Sequence, residues 1–305
     1  MRDNHIIKKI GNFTRKIIGT EQLEKKIDRL ETKIYEMEDS LLFGLSQLTP
    51  RETHPRFIVT LTSYGKRIYT TVPTVIASIF RQSVIPDKII LWLAEKTITP
   101  QLRLLQEYGL EIKFCDDLRS YKKLIPALKE FPEDVLITAD DDLYYPHNWL
   151  AQLIFAYQEN PKNIYCHRAH KIVFDNNGVI KPYEQWRFQI KSERDAKLIF
   201  PTSGAGCLYP PHTLDENVVN MEEFMSLAPT ADDIWFWAMA NLCNTNIEIV
   251  KDSCFSVKDI ASDGCGETPL CDENVTGGAN DRQLRAVMER FPQLKGLPPP
   301  PESII

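Results

Sequence analysis

The stretch Asp134-Val-Leu-Ile-Thr-Ala-Asp140-Asp141-Asp142-Leu-Tyr-Tyr145 sets the reading of this chain. Val135-Leu136-Ile137 is a short apolar run that reads as a buried strand, and it stops on three consecutive carboxylates. Carboxylates this close repel, so one of them would hold its proton above the usual range unless a cation neutralised the group. Oxygen ligands at a strand end suit Mg²⁺ or Mn²⁺, which keep several waters and take their remaining ligands from substrate phosphates. An acidic turn closing a strand is the competing reading. What flanks the stretch decides between them.

Towards the N-terminus, Arg56-Phe-Ile-Val-Thr-Leu61 predicts a first strand that ends in Thr62-Ser63-Tyr64-Gly65-Lys66-Arg67. A helix is expected over 71–82 and a second strand over Lys88–Leu93. Thr99 followed by Pro100 is an N-cap with proline at the first helical position, and that helix stops at Gly109. Glu111–Cys115 predicts a third strand closing on Asp116 and Asp117, and a further helix is expected from Tyr121-Lys122-Lys123 to Phe131. Strands alternating with helices in this way imply βαβ units and a mainly parallel sheet covered on both faces. Ligands bind at the carboxyl ends of such strands. The segment 62–67, the pair Asp116–Asp117 and the triplet Asp140–Asp142 all fall there, which favours the metal reading of the triplet.

Towards the C-terminus, a helix is expected from Pro146 to Glu159. Strands over 164–170 and 171–174 follow, with Asn176-Asn177-Gly178 as a hairpin turn. In Pro201-Thr-Ser-Gly-Ala-Gly-Cys-Leu-Tyr-Pro-Pro211, Gly204 and Gly206 would let the backbone approach a ligand, although a tight turn explains them equally well. Thr230-Ala-Asp232-Asp233-Ile-Trp235-Phe-Trp237 opens an apolar helix. Thr230 and Asp233 have the spacing of a capping box, and acids favour helix N-termini in any case. Trp235 and Trp237 read as core, because the helix is apolar all round. Thr276-Gly-Gly-Ala-Asn280-Asp281 is a glycine turn opening the last helix, a place that can receive a phosphate. A proline-rich tail, 293–305, ends the chain.

The first fifty residues differ in texture. Residues 1–19 alternate Lys and Arg with Ile and Phe at helical spacing, and such a helix either lies on an anionic membrane surface or packs on its own domain. Leu23, Ile27, Leu30, Ile34, Met37 and Leu41 form a heptad series, so residues 20–48 predict a coiled coil and a homo-oligomer, with an intramolecular hairpin as the alternative. The chain has 305 residues and a formal charge of -6, which argues against nucleic-acid binding. Its seven cysteines contain no CxxC pair and read as reduced thiols. No apolar run is long enough to span a bilayer, and no signal-peptide core is present. The expected location is therefore cytoplasmic, with peripheral contact at the inner face of the cell membrane through residues 1–19.

Taken in order, Thr62-Ser63-Tyr64, Asp116–Asp117, Lys123, Asp140-Asp141-Asp142, Ser203-Gly-Ala-Gly206 and Asp232-Asp233-Ile-Trp235 resemble the motif series of GT-A glycosyltransferases. The likeness is to bacterial family-2-like enzymes that build surface polysaccharides, and it covers roughly 56–292, leaving 1–50 as an N-terminal helical extension. It implies a Rossmann-like α/β fold and a nucleotide-diphospho-sugar donor, a UDP-sugar in particular, with Mn²⁺ or Mg²⁺. Asp142 would hold the metal with Asp140, which also faces the ribose, and Asp141 would lie between them. Asp116 or Asp117 would contact the base, Lys123 would fix the nucleotide, and Thr62, Tyr64 and Arg67 would border it. Asp233 would be the general base of an inverting transfer to a glycan or glycolipid hydroxyl, near acceptor contacts from Ser203, Gly204, Gly206, Asp232 and Trp235.

The sequence departs from that pattern twice. No histidine follows residue 212, so the metal ligand that many relatives place after the base is missing, and Asn280 or Asp281 is the substitute to consider. No Gln-x-x-Arg-Trp segment occurs, which implies addition of one or a few sugars. A sugar nucleotidylyltransferase or phosphotransferase on a similar sheet is the rival enzyme reading, and an inactive coiled-coil scaffold the non-enzymatic one. A nucleotidylyltransferase needs a glycine-rich basic loop after the first strand, and 62–67 has one glycine.

Overall fold

The computed structural model describes residues 55–96, 98–251, 253, 258–260, 274 and 277–296. The expected amphipathic helix, the coiled coil and the tail beyond residue 296 lie outside the described residues.

The chain enters on β1 (Phe57–Thr62), followed by α1 (Arg67–Thr70) and α2 (Val72–Phe80), then β2 (Lys88–Leu93), α3 (Pro100–Glu107) and β3 (Leu110–Phe114). A 3₁₀ turn, Arg119–Lys123, precedes α4 (Ile125–Glu130) and β4 (Val135–Ala139). Next come β5 (Leu143–Tyr144), α5 (Trp149–Glu159), β6 (Ile164–Cys166), β7 (Ala169–Lys171), β8 (Ile199–Pro201) and β9 (Cys207–Tyr209). The last elements are α6 (Met221–Leu227), α7 (Asp232–Leu242), β10 (Ile247–Ile249), β11 (Lys258–Asp259) and α8 (Ala279–Arg290).

The mainly parallel sheet flanked by helices that the sequence implies is the one observed. Its seven strands run in the order β10-β6-β9-β4-β1-β2-β3. The pairs β1–β2, β2–β3, β1–β4 and β6–β10 are parallel, and β9 runs antiparallel to both its neighbours. All five residues of β4 are buried, as are the central residues of β1, which is why both read as unbroken apolar runs. The chain adds β2 and β3 on one side of β1 and then crosses to place β4 on the other. That reversal is the switch point at which open α/β sheets bind ligands, and the register Leu61↔Ala139 brings the two strand ends level there.

Local signals hold where they rest on backbone chemistry. Thr99 caps α3, its hydroxyl accepting from the Leu102 N–H at 3.1 Å. Asp175 accepts from the Asn177 and Val179 amides, and Gly178 at φ 76° completes the expected hairpin turn, closed by the Phe174↔Ile180 bridge. Two expectations need correction. The helix expected over 121–131 is broken into the 3₁₀ turn and α4, because Pro126 has no N–H to return to the Lys122 carbonyl. The strand expected over 164–170 is also broken: β6 belongs to the main sheet, whereas β7 pairs with β8 in a separate ribbon. No described helix is long and apolar enough to cross a membrane.

Candidate active site

The acidic triplet follows β4 at the switch point, and its three carboxylates have different surroundings. Asp141 is buried; it accepts from the Ser63 hydroxyl at 2.6 Å and from Arg67 Nη1 at 2.9 Å, both from the segment after β1. Asp142 is 34% exposed and lies 3.1 Å from the same Arg67 nitrogen. Asp140 is 33% exposed and accepts from Lys123 Nζ at 2.6 Å. Burial, then the charges of Asp140 and Asp141, push the Asp142 carboxyl up to about 6, with Arg67 and Lys123 opposing the rise. Burial also raises Asp141, against the pull of Arg67. Burial works against the Arg67 charge, but Asp141 and Asp142 outweigh it and hold the guanidinium above its ordinary range.

Lys123 joins this cluster to a second one. The 3₁₀ turn buries its side chain, and Nζ lies 2.6 Å from Asp140, 3.3 Å from Asp232 and 3.4 Å from the Ser203 hydroxyl. Burial disfavours the ammonium, but Asp140, Asp232 and Asp233 together keep it charged. Asp232 also accepts from Ser120 Oγ at 2.9 Å. Asp233 Oδ1 accepts twice from Ser203, from the amide at 2.9 Å and the hydroxyl at 2.5 Å. Burial and then Asp232 raise the Asp233 carboxyl to about 6, with Lys123 and Ser203 holding it lower than burial alone would.

The capping box expected at the start of α7 is absent. Ala231 is the N-cap and makes no side-chain cap bond; the Thr230 hydroxyl instead donates to Asn274 Oδ1 at 2.7 Å, and its amide donates to Gln283. Asp233 is therefore turned away from its own helix end and towards the β8–β9 loop.

That loop is shaped by close packing. A Cβ on Gly204 would lie 1.8 Å from Asp140 Oδ2, and Gly206, at φ 110°, faces the Trp149 indole with a Cβ position 2.3 Å from Nε1. Trp149 Nε1 donates to the Ala205 carbonyl at 2.8 Å. The Tyr145 hydroxyl donates to the Gly204 carbonyl at 2.6 Å and accepts from the Asp140 amide at 2.7 Å. The glycines thus bring the loop backbone against the triplet itself.

The other expected site residues are placed as follows. Thr62 Oγ1 donates to the Trp92 carbonyl, tying the end of β1 to β2. Tyr64 is 43% exposed, with the Arg67 guanidinium 5.8 Å from its ring centre. Asp116 and Asp117 are exposed beyond β3, and the hydrogen bond from Lys122 holds Asp117 below the usual carboxylate range. Trp235 is fully buried and donates to the Val218 carbonyl, away from any open surface. Asp281 accepts from the Tyr183 amide and Asn280 is buried, so α8 begins on structural bonds. The sequence pattern flags Ser63 only as part of the strand end 62–67 and assigns no role to Ser120, Tyr145 or Trp149.

Among the described residues, no group of three or more His, Cys, Asp or Glu side chains converges as a metal cluster. The protein offers Asp142 and Asp140, both partly exposed, with the Asp142 proton affinity raised by burial and then by the neighbouring carboxylates. Two carboxylates at an open strand end fit an ion that keeps waters and completes its shell with substrate phosphates.

Among solved structures, the chain is similar to residues 1–349 of S. aureus TarS, with a TM-score of 0.44 and 16% identity over 65% of this chain and 58% of that one. The same fragment in complex with UDP gives 0.43 and 15%, over the same shares. CMP:2-keto-3-deoxy-manno-octonic acid synthetase complexed with CTP gives 0.43 and 12%, over 75% of this chain and 99% of that one. The chain thus spans 58% of the length of the TarS fragment. No protein-family model matches the sequence, and no curated protein matches it.

Proposed function

We propose that this chain is a metal-dependent, inverting glycosyltransferase that moves a sugar from a nucleotide-diphospho-sugar to a hydroxyl of a glycan or glycolipid. The observation that carries the reading is the junction at Lys123. One buried ammonium links the partly exposed carboxylates at the switch point to a second carboxylate pair on α7. The donor would lie along the ends of β1, β3 and β4, bordered by Thr62, Tyr64, Arg67, Asp116, Asp117 and Lys123. Asp142 and Asp140 would hold Mn²⁺ or Mg²⁺. A divalent cation there stabilises the negative charge that develops on a departing nucleoside diphosphate.

Asp233 serves as general base. As the acceptor oxygen bonds to the anomeric carbon, the bond to the diphosphate breaks and its electron pair leaves with the nucleoside diphosphate. The acceptor proton passes to the Asp233 carboxylate. A carboxyl near 6 is ionised at neutral pH yet more basic than an exposed aspartate, which suits this step. The loop 203–206 and Asp232 border the acceptor side, with Trp235 fixing α7 from the core. A nucleotidylyltransferase is the weaker reading, because the β1 loop has one glycine and Arg67, one of its two basic residues, is engaged by Asp141 and Asp142.

Incubation with a panel of nucleotide-sugars and Mn²⁺ or Mg²⁺ tests the proposal. Slow acceptor-independent release of nucleoside diphosphate supports it. Consumption of nucleoside triphosphate with a sugar phosphate would replace it with the nucleotidylyltransferase.

A further inference from the structure

Ser203 meets two functional groups at once. Its amide and hydroxyl both donate to Asp233 Oδ1, at 2.9 and 2.5 Å, and its hydroxyl oxygen lies 3.4 Å from Lys123 Nζ. It is 1% exposed, so no acceptor sugar can touch it directly. The loop that carries it is pinned on both sides. Thr138 Oγ1 on β4 donates to the Ser203 carbonyl at 2.9 Å, and Tyr145 holds the Gly204 carbonyl. A hydroxyl fixed this firmly, with an ammonium behind it, has one direction left in which to donate.

We propose that Ser203 is a positioning residue for the Asp233 base. It locks Oδ1 with two hydrogen bonds, leaves Oδ2 as the proton-accepting oxygen, and connects the base through Lys123 to Asp140 on the donor side. This inference rests on the glycosyltransferase reading for its kinetic consequence but not for its electrostatic one. A hydrogen bond to the ionised form favours that form, so the Ser203 hydroxyl keeps the base deprotonated at lower pH than its burial would permit. The charged and titratable groups facing Asp233 are Asp232 on its own helix, Lys123 and Tyr121 on the 3₁₀ turn, and Cys207 and Tyr209 on β9. Ser203→Ala leaves all of them in place and removes one donor.

The test compares wild type, Ser203→Ala, Asp233→Asn and the double variant. In sugar transfer, Ser203→Ala should lower kcat about tenfold or more, the scale of one hydrogen bond to a charged group. KM for the donor should stay within about twofold, and the acidic limb of kcat should move up by roughly one pH unit. In the Asp233→Asn background the same substitution should cost nothing further. A second readout needs no turnover. The pH above which the melting-temperature gap between Ser203→Ala and the double variant stops widening should lie higher than the pH above which the gap between wild type and Asp233→Asn stops widening. An unmoved acidic limb with an unmoved levelling-off pH overturns the positioning role, even if Ser203→Ala melts lower. If wild type releases no nucleoside diphosphate from any donor, the proposed function fails, and the levelling-off pH alone decides whether Ser203 sets the proton affinity of Asp233.

Discussion

Replacing Asp233 by asparagine separates a catalytic carboxylate from a structural one, because the two roles predict opposite changes in stability. In Asp233→Asn the amide oxygen of the new side chain can still accept from the Ser203 amide and hydroxyl, so the geometry of the loop survives. What disappears is a negative charge that burial and Asp232 make costly, as shown by a carboxyl raised from 3.8 to about 6. A carboxylate whose proton affinity is higher in the folded state costs nothing below the unfolded value, where both states are protonated. The cost grows between about 4 and 6 and is complete above that window. At about 1.4 kcal/mol for each tenfold in proton affinity, Asp233→Asn should gain up to about 3 kcal/mol at pH 8. In a domain of this size that is a rise of several degrees in melting temperature. The gain should shrink as pH falls and vanish near pH 4. Sugar transfer should fall by about 10²- to 10⁴-fold, the usual contribution of a general base. Thermal melts at stepped pH and a transfer assay on the same samples give both numbers. A loss of stability at pH 8 with transfer intact would refute the reasoning and make Asp233 a helix-stabilising acid.

Other perturbations probe the rest of the site. Gly204→Ala places a methyl 1.8 Å from Asp140 Oδ2, so the carboxylate and the loop must separate by on the order of 1 Å. Donor turnover should drop about 10²-fold with little loss of helicity, as followed by circular dichroism. Lys123→Met leaves Asp140 and Asp232 without their ammonium, and a loss of about 3–5 kcal/mol in urea unfolding is expected. Wild-type transfer should show an acidic limb near pH 6, falling as Asp233 takes up its proton. Deleting residues 1–50 should reduce the solution mass from oligomer to monomer in light scattering while donor turnover persists; an unchanged mass would remove the coiled-coil assignment.

The parts of the fold legible in the sequence are those set by local or periodic chemistry. β1, β2 and β4 are apolar runs because both sheet faces are covered, and Thr99-Pro100 announces α3 through its own cap. The alignment of three polar strand ends follows from βαβ logic alone. The second half of the site does not, because its contacts join residues far apart in the chain. Asp233 and Ser203 lie thirty residues apart, and Lys123 and Ser203 eighty. Local spacing pairs Asp233 with Thr230, but tertiary packing gives each a different partner. Trp149 and Tyr145 are equally hidden, since an aromatic in an apolar stretch looks like core until its N–H or O–H is seen to hold a loop. Pro126 is visible in the sequence, and its missing N–H is enough to forecast the break that turns Lys123 inward.

The central claim is that Asp142 and Asp140 hold a divalent cation for a nucleotide-diphospho-sugar. Its most direct measurement is calorimetric titration of nucleoside diphosphate into wild type and Asp142→Ala, with Mn²⁺ and with chelator. Metal-dependent binding to the wild type that is lost in Asp142→Ala is the predicted result. Equal binding by both proteins, or binding indifferent to chelator, would contradict it.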